Sequence, residues 1–436
     1  MAKRHMIGIL VAAVVLAAPA PALGAGWVYV ESNNPQQGQN SVLALDYGNN
    51  GKLNPVDIRE FRTRGTGAAY IRDMSVGTLA GDQQVTLSPN HRWLFAVNQG
   101  SDTIAVFKVN RRTGALRHVK GSPFDSGGKA PIAAGFNGRH LVVANHGVVA
   151  PFAPGPGADF GNPNFTSFSV SGKGRLREIS SVPAGPGPTQ AAFSPSGRNV
   201  FSTSFYAFAP PDNKTIQSLT LSRTGRLAEA PGSPTGFPAS MTDGVSLPPF
   251  LPPGIERLAF GIATHPTQPY AYILGPANFK VGIYRYNRAG ELTFTGQEDN
   301  PGGVAACWIV LTSDGRYAFA ANTFTQDISV FRVSNNGSDL TFLRKVPAPS
   351  TGTVFNLAID PSDRYLYVHA GHADPDGPRP QEVNPDGTVS ATPVSADGNF
   401  VEAFRIRPGG NLRSIGTTAL PVPFSSIPMG IQVLER

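Results

Sequence analysis

The chain has 436 residues, a formal net charge of +7, a single cysteine and only 15% charged residues, against 49 glycines and 40 prolines. One cysteine excludes an intrachain disulfide framework, and so much glycine and proline argues for short strands joined by turns and against a helical bundle. Two or three ordinary domains would be expected at this length unless the chain repeats itself.

The first element is MAKRHMIGILVAAVVLAAPAPALGAGW. Lys3 and Arg4 precede an apolar run from Met6 to Ala18, and Ala22-Leu23-Gly24 offers small residues for cleavage. The run is too short for a spanning helix, and its order of basic, apolar and small residues is that of a secretory signal peptide, here residues 1–24. The expected mature protein, residues 25–436, is a single domain, exported to the periplasm or the extracellular space, with no membrane anchor after processing. No cysteine adjoins the signal peptide to take a lipid. Removing Lys3 and Arg4 lowers the net charge from +7 to +5. The remaining cations are dispersed, often at turns such as Arg111-Arg112 and Arg223, which reads as a solvated surface and not as a nucleic-acid track.

From Trp27 onward the chain is periodic. A tight turn recurs as SPNHR (88–92), SPSGR (194–198), HPTQP (265–269), TSDGR (312–316) and DPSDR (360–364), with a degenerate copy FNGRH (136–140). A short strand follows each: WLFAVN, LVVAN, NVFSTS, YAYILG, YAFAAN and YLYVHA. An alternating strand comes next (TIAVFKV, FTSFSV, TIQSLTL, KVGIYRY, DISVFRV, NFVEAFRI), so that one face of each is buried. A glycine turn then leads into leucine, seven times: NNGKL, RTGAL, GKGRL, RTGRL, RAGEL, NNGSDL and PGGNL. Glycine there supplies the positive φ that other residues resist.

Each unit thus holds four strands: A before the SPxxR turn, B after it, C, and D after the glycine turn. The copies are spaced widely around roughly sixty residues, longer than the forty to fifty of compact propeller repeats. The predicted fold is all-β, a seven-bladed β-propeller of four-stranded antiparallel blades. The first unit, WVYVES (27–32), lacks a strand A, and the chain ends on a lone strand A, SSIPMGIQVL (425–434). The C-terminal strand, Ile427 to Leu434, is therefore expected to complete the N-terminal blade and close the ring.

Four insertions break the period, at 146–164, 204–214, 229–254 and 369–398. Three are B–C connections and the third is a D–A connection, and in an antiparallel blade these leave one face. Long irregular loops gathered on one face of a repeat body are where function is expected.

The stretch SPNHRWLFAVNQGSDTIAVFKVNRRTGAL, with SPSGR and RTGRL, and TSDGRYAFAAN with DISVFRV, resembles the lactonase family of seven-bladed propellers. That family includes propeller-type 6-phosphogluconolactonases and carboxymuconate-lactonising enzymes. The resemblance covers residues 27–436 and implies active groups four or five residues before the SPxxR turn and at the end of strand B. This chain departs from the family there. Phe260 and Gly261 stand where Arg and His are expected, and Gly275-Pro276 where Asn-Glu is. Thr189 replaces His, Trp308 an acid, Thr323 an Arg and Phe355 an Arg. His265 matches, but within the turn, which gives it a structural role. Lactone hydrolysis needs a base for water and donors or a cation for the oxyanion, and the matched positions supply neither.

The residues expected at the channel mouth are Gln83, Gln84, Thr189, Gln190, Phe260, Trp308, Phe355 and Asn356. Amides beside aromatic faces suit a small neutral polar ligand such as a saccharide, or a protein partner, on the insertion-bearing face. The leading expectation is accordingly an exported, non-hydrolytic binding propeller. The alternative is a lactone hydrolase or carboxymuconate cyclase-type enzyme with relocated catalytic groups, for which His146, Glu256, Arg257, His369 and His372 are candidates. No cofactor is expected. His369, His372 and Asp374 in HAGHADPDG are the candidate metal ligands, although their spacing is not that of a recognised site, and no metal is predicted. Cys307, in the apolar run AACWIVL, reads as an inert buried thiol. Asn164, Asn213 and Asn336 fit the glycosylation acceptor pattern.

Overall fold

The computed structural model describes residues 25–68, 81–148, 159–208, 214–247, 251–349, 353–371, 381–383, 389–391, 398–422 and 427–436. The expected signal peptide, His372, Asp374 and Asn213 lie outside them. Seven four-stranded antiparallel blades form the body, and the ring is a seven-bladed propeller. Numbered along the chain from inner strand to outer, blade 1 runs Val85–Leu87, Trp93–Asn98, Thr103–Val109 and Leu116–His118. Blades 2 to 6 begin at Pro131–Phe136, Ala192–Phe193, Ile262–Thr264, Ala306–Leu311 and Thr353–Ile359.

Blade 7 is shared by the two ends of the chain. Its inner strand is Met429–Glu435, paired antiparallel with Gly26–Glu31 so that Trp27 faces Leu434 and Val28 faces Val433. The expected closing strand, Ile427 to Leu434, is thus found one or two residues further on. Against blade 1 this blade buries Trp27, Tyr29, Val42 and Ala44 on Val85, Leu94, Ala96 and Phe107. Burying one such aliphatic or aromatic side chain stabilises by about 1.5–3 kcal/mol, so the seam is held by packing as well as by the strand ladder.

The SPxxR turns persist for a local reason. The first side chain of each accepts hydrogen bonds from backbone N–H groups at the start of strand B. Ser88 Oγ accepts from Arg92 N (3.0 Å) and Trp93 N (2.9 Å), Thr312 Oγ1 from Tyr317 N (3.1 Å), and Asp360 Oδ1 from Arg364 N (2.7 Å). His265 Nδ1 plays the same part for Thr267 N (3.2 Å) and Gln268 N (3.1 Å), which makes it structural.

The glycine turns do a second job besides supplying positive φ. Each packs on the residue that opens strand B of the preceding blade. A Cβ on Gly114 (φ 65°) would lie 2.2 Å from the ring of Trp27. One on Gly51 (φ 80°) would lie 2.2 Å from the ring of Tyr365. The same meeting recurs between Gly174 and Trp93, Gly225 and His140, Gly290 and Asn199, Gly337 and Tyr270, and Gly410 and Tyr317. The Tyr29, Tyr272 and Tyr367 hydroxyls donate to the carbonyls of Gly114, Gly337 and Gly51 (3.1, 2.8 and 2.9 Å). Blades are therefore latched to one another at the face that carries the A–B and C–D turns.

The opposite face carries the B–C and D–A connections, and all four expected insertions leave from it. Within the fourth, Gln381–Val383 pairs with Val389–Ala391. A fifth long connection, unexpected from the repeat, joins blades 7 and 1, and its described ends, residues 63–68 and 81–84, lie on this face.

Candidate active site

The fifth connection ends in Gly81-Asp82-Gln83-Gln84, and this tetrapeptide crosses the mouth of the ring. Gln83 has φ 68°, a conformation that costs a residue with a Cβ and persists where its surroundings enforce it. Here five blades enforce it. Gln83 O accepts from Ala134 N of blade 2 (3.0 Å), and Asp82 N donates to Thr189 O of blade 3 (3.1 Å). Gln83 Oε1 accepts from Ala191 N of blade 3 (3.0 Å). Trp308 Nε1 of blade 5 donates to Gly81 O (3.0 Å), and Gln84 O accepts from Val97 N of blade 1 (3.0 Å). Blade 6 reaches in through Asn356.

These contacts hold the Asp82 carboxylate at the centre of a cage of amides. Asn356 Nδ2 donates to its Oδ1 (3.0 Å) and Gln190 Nε2 to its Oδ2 (3.1 Å). Both amides are themselves fixed. Gln190 Oε1 accepts from Ile262 N (2.6 Å), and Asn356 Oδ1 from Gly430 N (2.8 Å). The amide orientations are therefore set by backbone donors, and each can offer Asp82 only an N–H. Loss of water raises the Asp82 pKa to about 6, against the pull of the hydrogen bonds from Gln83 N, Asn356 and Gln190. Asp82 keeps part of its surface uncovered. Beside it, Gln84 is buried and neither polar atom of its side chain has a partner.

An aromatic row lies along the same face. Phe205, Phe260, Trp308 and Phe355 meet edge to face with centroids 5.7, 5.6 and 5.3 Å apart. The row continues to Tyr206 and Phe160 of the insertions at one end (5.1 Å for each step). At the other end Phe355 stacks on His369 (5.6 Å). Insertions one and two thus supply apolar cover over the ring, with Ile255 and Leu258, just after insertion three, in the same cluster.

The eight residues expected at the mouth do come together. Gln83, Gln190 and Asn356 hold or adjoin Asp82, the Thr189 hydroxyl meets that of Thr203 (2.6 Å), and Phe260, Trp308 and Phe355 form the row. All but Gln83 are buried, and the group surrounds a carboxylate, where the sequence reading pictures a neutral mouth. The candidate catalytic residues are scattered. Glu256 and Arg257 pair with each other (3.7 Å) in the single turn Ile255–Arg257. His146 is fully buried under the edge of Tyr206 (5.6 Å), both ring nitrogens lack partners, and burial lowers its pKa to about 4. Among the described residues no group of three or more His, Cys, Asp or Glu side chains is placed to hold a metal. Cys307 is shielded, and burial pushes its thiol up to about 12. A pocket of about 490 Å³ opens elsewhere on this face, lined in part by Val245, Asn278, Phe279 and Asp299.

Sequence reasoning flags Gln83 and Gln84 but passes over Asp82, which stands one residue outside the positions that the family resemblance marks. The available signal is the length of the 63–84 connection.

The family described as lactonase, 7-bladed β-propeller matches residues 70–132 and 261–375. Those two segments of the ring carry the pattern of that family. The first segment includes Asp82, and the second includes Trp308 and Asn356. No curated protein matches the sequence. Among solved structures, a candidate 6-phosphogluconolactonase of Bacteroides fragilis superposes with a TM-score of 0.62 at 14% identity, covering 95% of this chain and all of that one. A second such protein, from Bacteroides uniformis, gives 0.60 at 16% identity over 94% and 99%. The periplasmic gluconolactonase of Pseudomonas aeruginosa gives 0.51 at 19%, over 78% of this chain and 98% of its own. At such identities the likeness is one of fold.

Proposed function

We propose that this propeller is a lactone hydrolase in which Asp82 is the general base. The observation that carries the reading is the carboxylate itself: held by two oriented amides at the mouth of the ring, with its pKa raised to about 6. Such a group is mostly ionised at neutral pH yet more basic than an ordinary carboxylate, the compromise general-base catalysis favours. Asp82 takes a proton from water as the water oxygen attacks the lactone carbonyl. The amide N–H of Gln84, unpartnered in the resting protein, stabilises the oxyanion. The acyl C–O bond then breaks, the ring oxygen takes the proton from Asp82, and a hydroxy acid leaves.

A carboxylate at the centre favours an uncharged sugar lactone over a phosphorylated one, since like charges repel in a poorly hydrated site. The reading includes export, supported by the composition of residues 1–24. Binding of an uncharged polar ligand or protein partner without turnover is a second reading, supported by the row Phe260, Trp308 and Phe355.

Proton release from gluconolactone and from its 6-phosphate tests the proposal. The expected rate for the uncharged lactone rises with pH through about 6, because the base must lose its proton to act. Asp82→Asn is expected to lower that rate by roughly 100-fold or more. A wild-type protein that turns over neither lactone, or an Asp82→Asn variant as active as wild type, would remove the assignment.

A further inference from the structure

The cations that look dispersed along the chain gather in space. In blades 1 to 3 the A–B turns SPNHR, FNGRH and SPSGR each carry an arginine. The C–D turns NRRTGA, SGKGRL and SRTGRL each carry two cations, Arg111 and Arg112, Lys173 and Arg175, Arg223 and Arg226, and none of the six turns contains an acid. All six C–D cations are exposed, and among the described residues none enters an ion pair. The turns are neighbours: Gly174 packs on Trp93, Gly225 on His140, and Asn137 Nδ2 donates to Gly197 O (2.9 Å). In blades 4 to 6 the corresponding turns mix in Glu291, Asp314, Asp339, Asp360 and Asp363. The turn-bearing face is therefore basic over three consecutive blades and mixed over the next three.

We propose that the turn face of blades 1 to 3 docks the protein peripherally on an anionic phospholipid bilayer. Six hairpin tips end on one face of the ring, which suits an extended planar anion better than a rod or a thread. Guanidinium groups pair with lipid phosphates through two parallel hydrogen bonds, and each cation near an anionic bilayer contributes additively. Val56 and Val148 are the large apolar side chains that stand exposed among the described residues, and neither is on these turns. The attachment is therefore electrostatic and reversible by salt. With no exposed aromatic on the tips, base stacking on single-stranded nucleic acid has no platform. Docked in this way, the face bearing Asp82 points away from the membrane and stays open to substrate.

Flotation with phosphatidylglycerol–phosphatidylcholine vesicles tests this. Binding is expected to the mixed vesicles at low salt, not to pure phosphatidylcholine, and to vanish at high salt. Arg111→Glu combined with Arg223→Glu should weaken it about 100-fold, and the matched pair Arg288→Glu with Arg407→Glu, on exposed tips of blades 4 and 6, by less than about 10-fold. No binding to the mixed vesicles, equal binding to both vesicle types, or equal loss with the two double variants would overturn the proposal. So would duplex DNA that binds more tightly than vesicles at the same salt. The lipid and salt dependence of the unmodified protein decides the matter even if a variant fails to fold.

Discussion

The two faces of the ring are made by the same strands and behave differently. On the turn face one device is used seven times: a glycine at positive φ seated on the residue that opens the neighbouring strand B. On the other face no single device runs round the whole ring among the described residues. Five connections of different length leave from it, an aromatic row covers the ring, and Gln84, His146 and Asn399 each leave two buried polar atoms without partners. Unpartnered buried groups cost about 1–3 kcal/mol each. A fold tolerates them where its repeated interfaces are secure, and the turn face is where this ring secures them. Trp27, Tyr47 and Asn199 on the turn face leave one such atom each, so the faces differ in degree, with the repeated packing on one and the larger departures on the other.

The severest way to break that division is to open the ring. Deleting residues 427–436 removes the inner strand of blade 7 and uncovers Val28 and Val30, which pack with Ile431 and Val433, along with the blade 1 seam around Trp27. The edge of Gly26–Glu31 becomes unpaired, which is a template for aggregation. The truncated protein is expected to aggregate or to be cleaved rapidly by protease, starting in blade 7. If it instead melts cooperatively at the wild-type temperature, the seam is not what holds the ends together.

A gentler comparison uses two glycines of nearly equal φ on opposite faces. Gly114→Ala combines a left-handed backbone (φ 65°) with a Cβ 2.2 Å from Trp27. Backbone strain and overpacking together should cost about 3 kcal/mol. Gly38→Ala, on the insertion face, has φ 70° and nothing within 4 Å, and should cost about 1 kcal/mol. Denaturant melts of the two variants measure the latch by difference. Equal losses would mean that the glycines serve only the backbone.

This asymmetry also explains what the sequence made legible. The latches are written in the repeat: SPxxR, the strand after it and the glycine-leucine pair fix the blade count, the four strands and the closing strand. The aromatic row and the amides at the mouth follow from counting back from each turn, because inner strands keep their register. Asp82 escapes that count. It belongs to a D–A connection, and what makes it special is contact with blades far away in sequence, Gln190 and Asn356 above all, which no periodicity encodes. The basic half of the turn face is hidden in the same way, since its cations are tens of residues apart and only the ring brings their hairpins side by side.

The smallest effect concerns pH, and it has opposite signs at Asp82 and His146 on the insertion face. Asp82 has a folded pKa near 6, above its ordinary 3.8. The folded state therefore binds more protons than the unfolded one between those values, and this contribution to stability grows as pH falls from about 6. His146 has a folded pKa near 4, below its ordinary 6.5. The unfolded state there binds more protons, so stability is lost as pH falls through that window. The two trends offset each other in the wild type. His146→Phe removes one of them and fills the space beside Tyr206 with a ring that has no polar atom to satisfy. At pH 7 the gain should be about 1 kcal/mol, from two ring nitrogens no longer buried without partners. At pH 5 it should grow by up to about 2 kcal/mol, because 1.5 pKa units of histidine protonation no longer favour unfolding. Melts of wild type and variant at both pH values give the difference directly. A gain that stays flat or shrinks on acidification would mean that His146 is not held neutral in the fold, and a variant that is stable but no longer turns over lactone would place His146 in the site with Asp82.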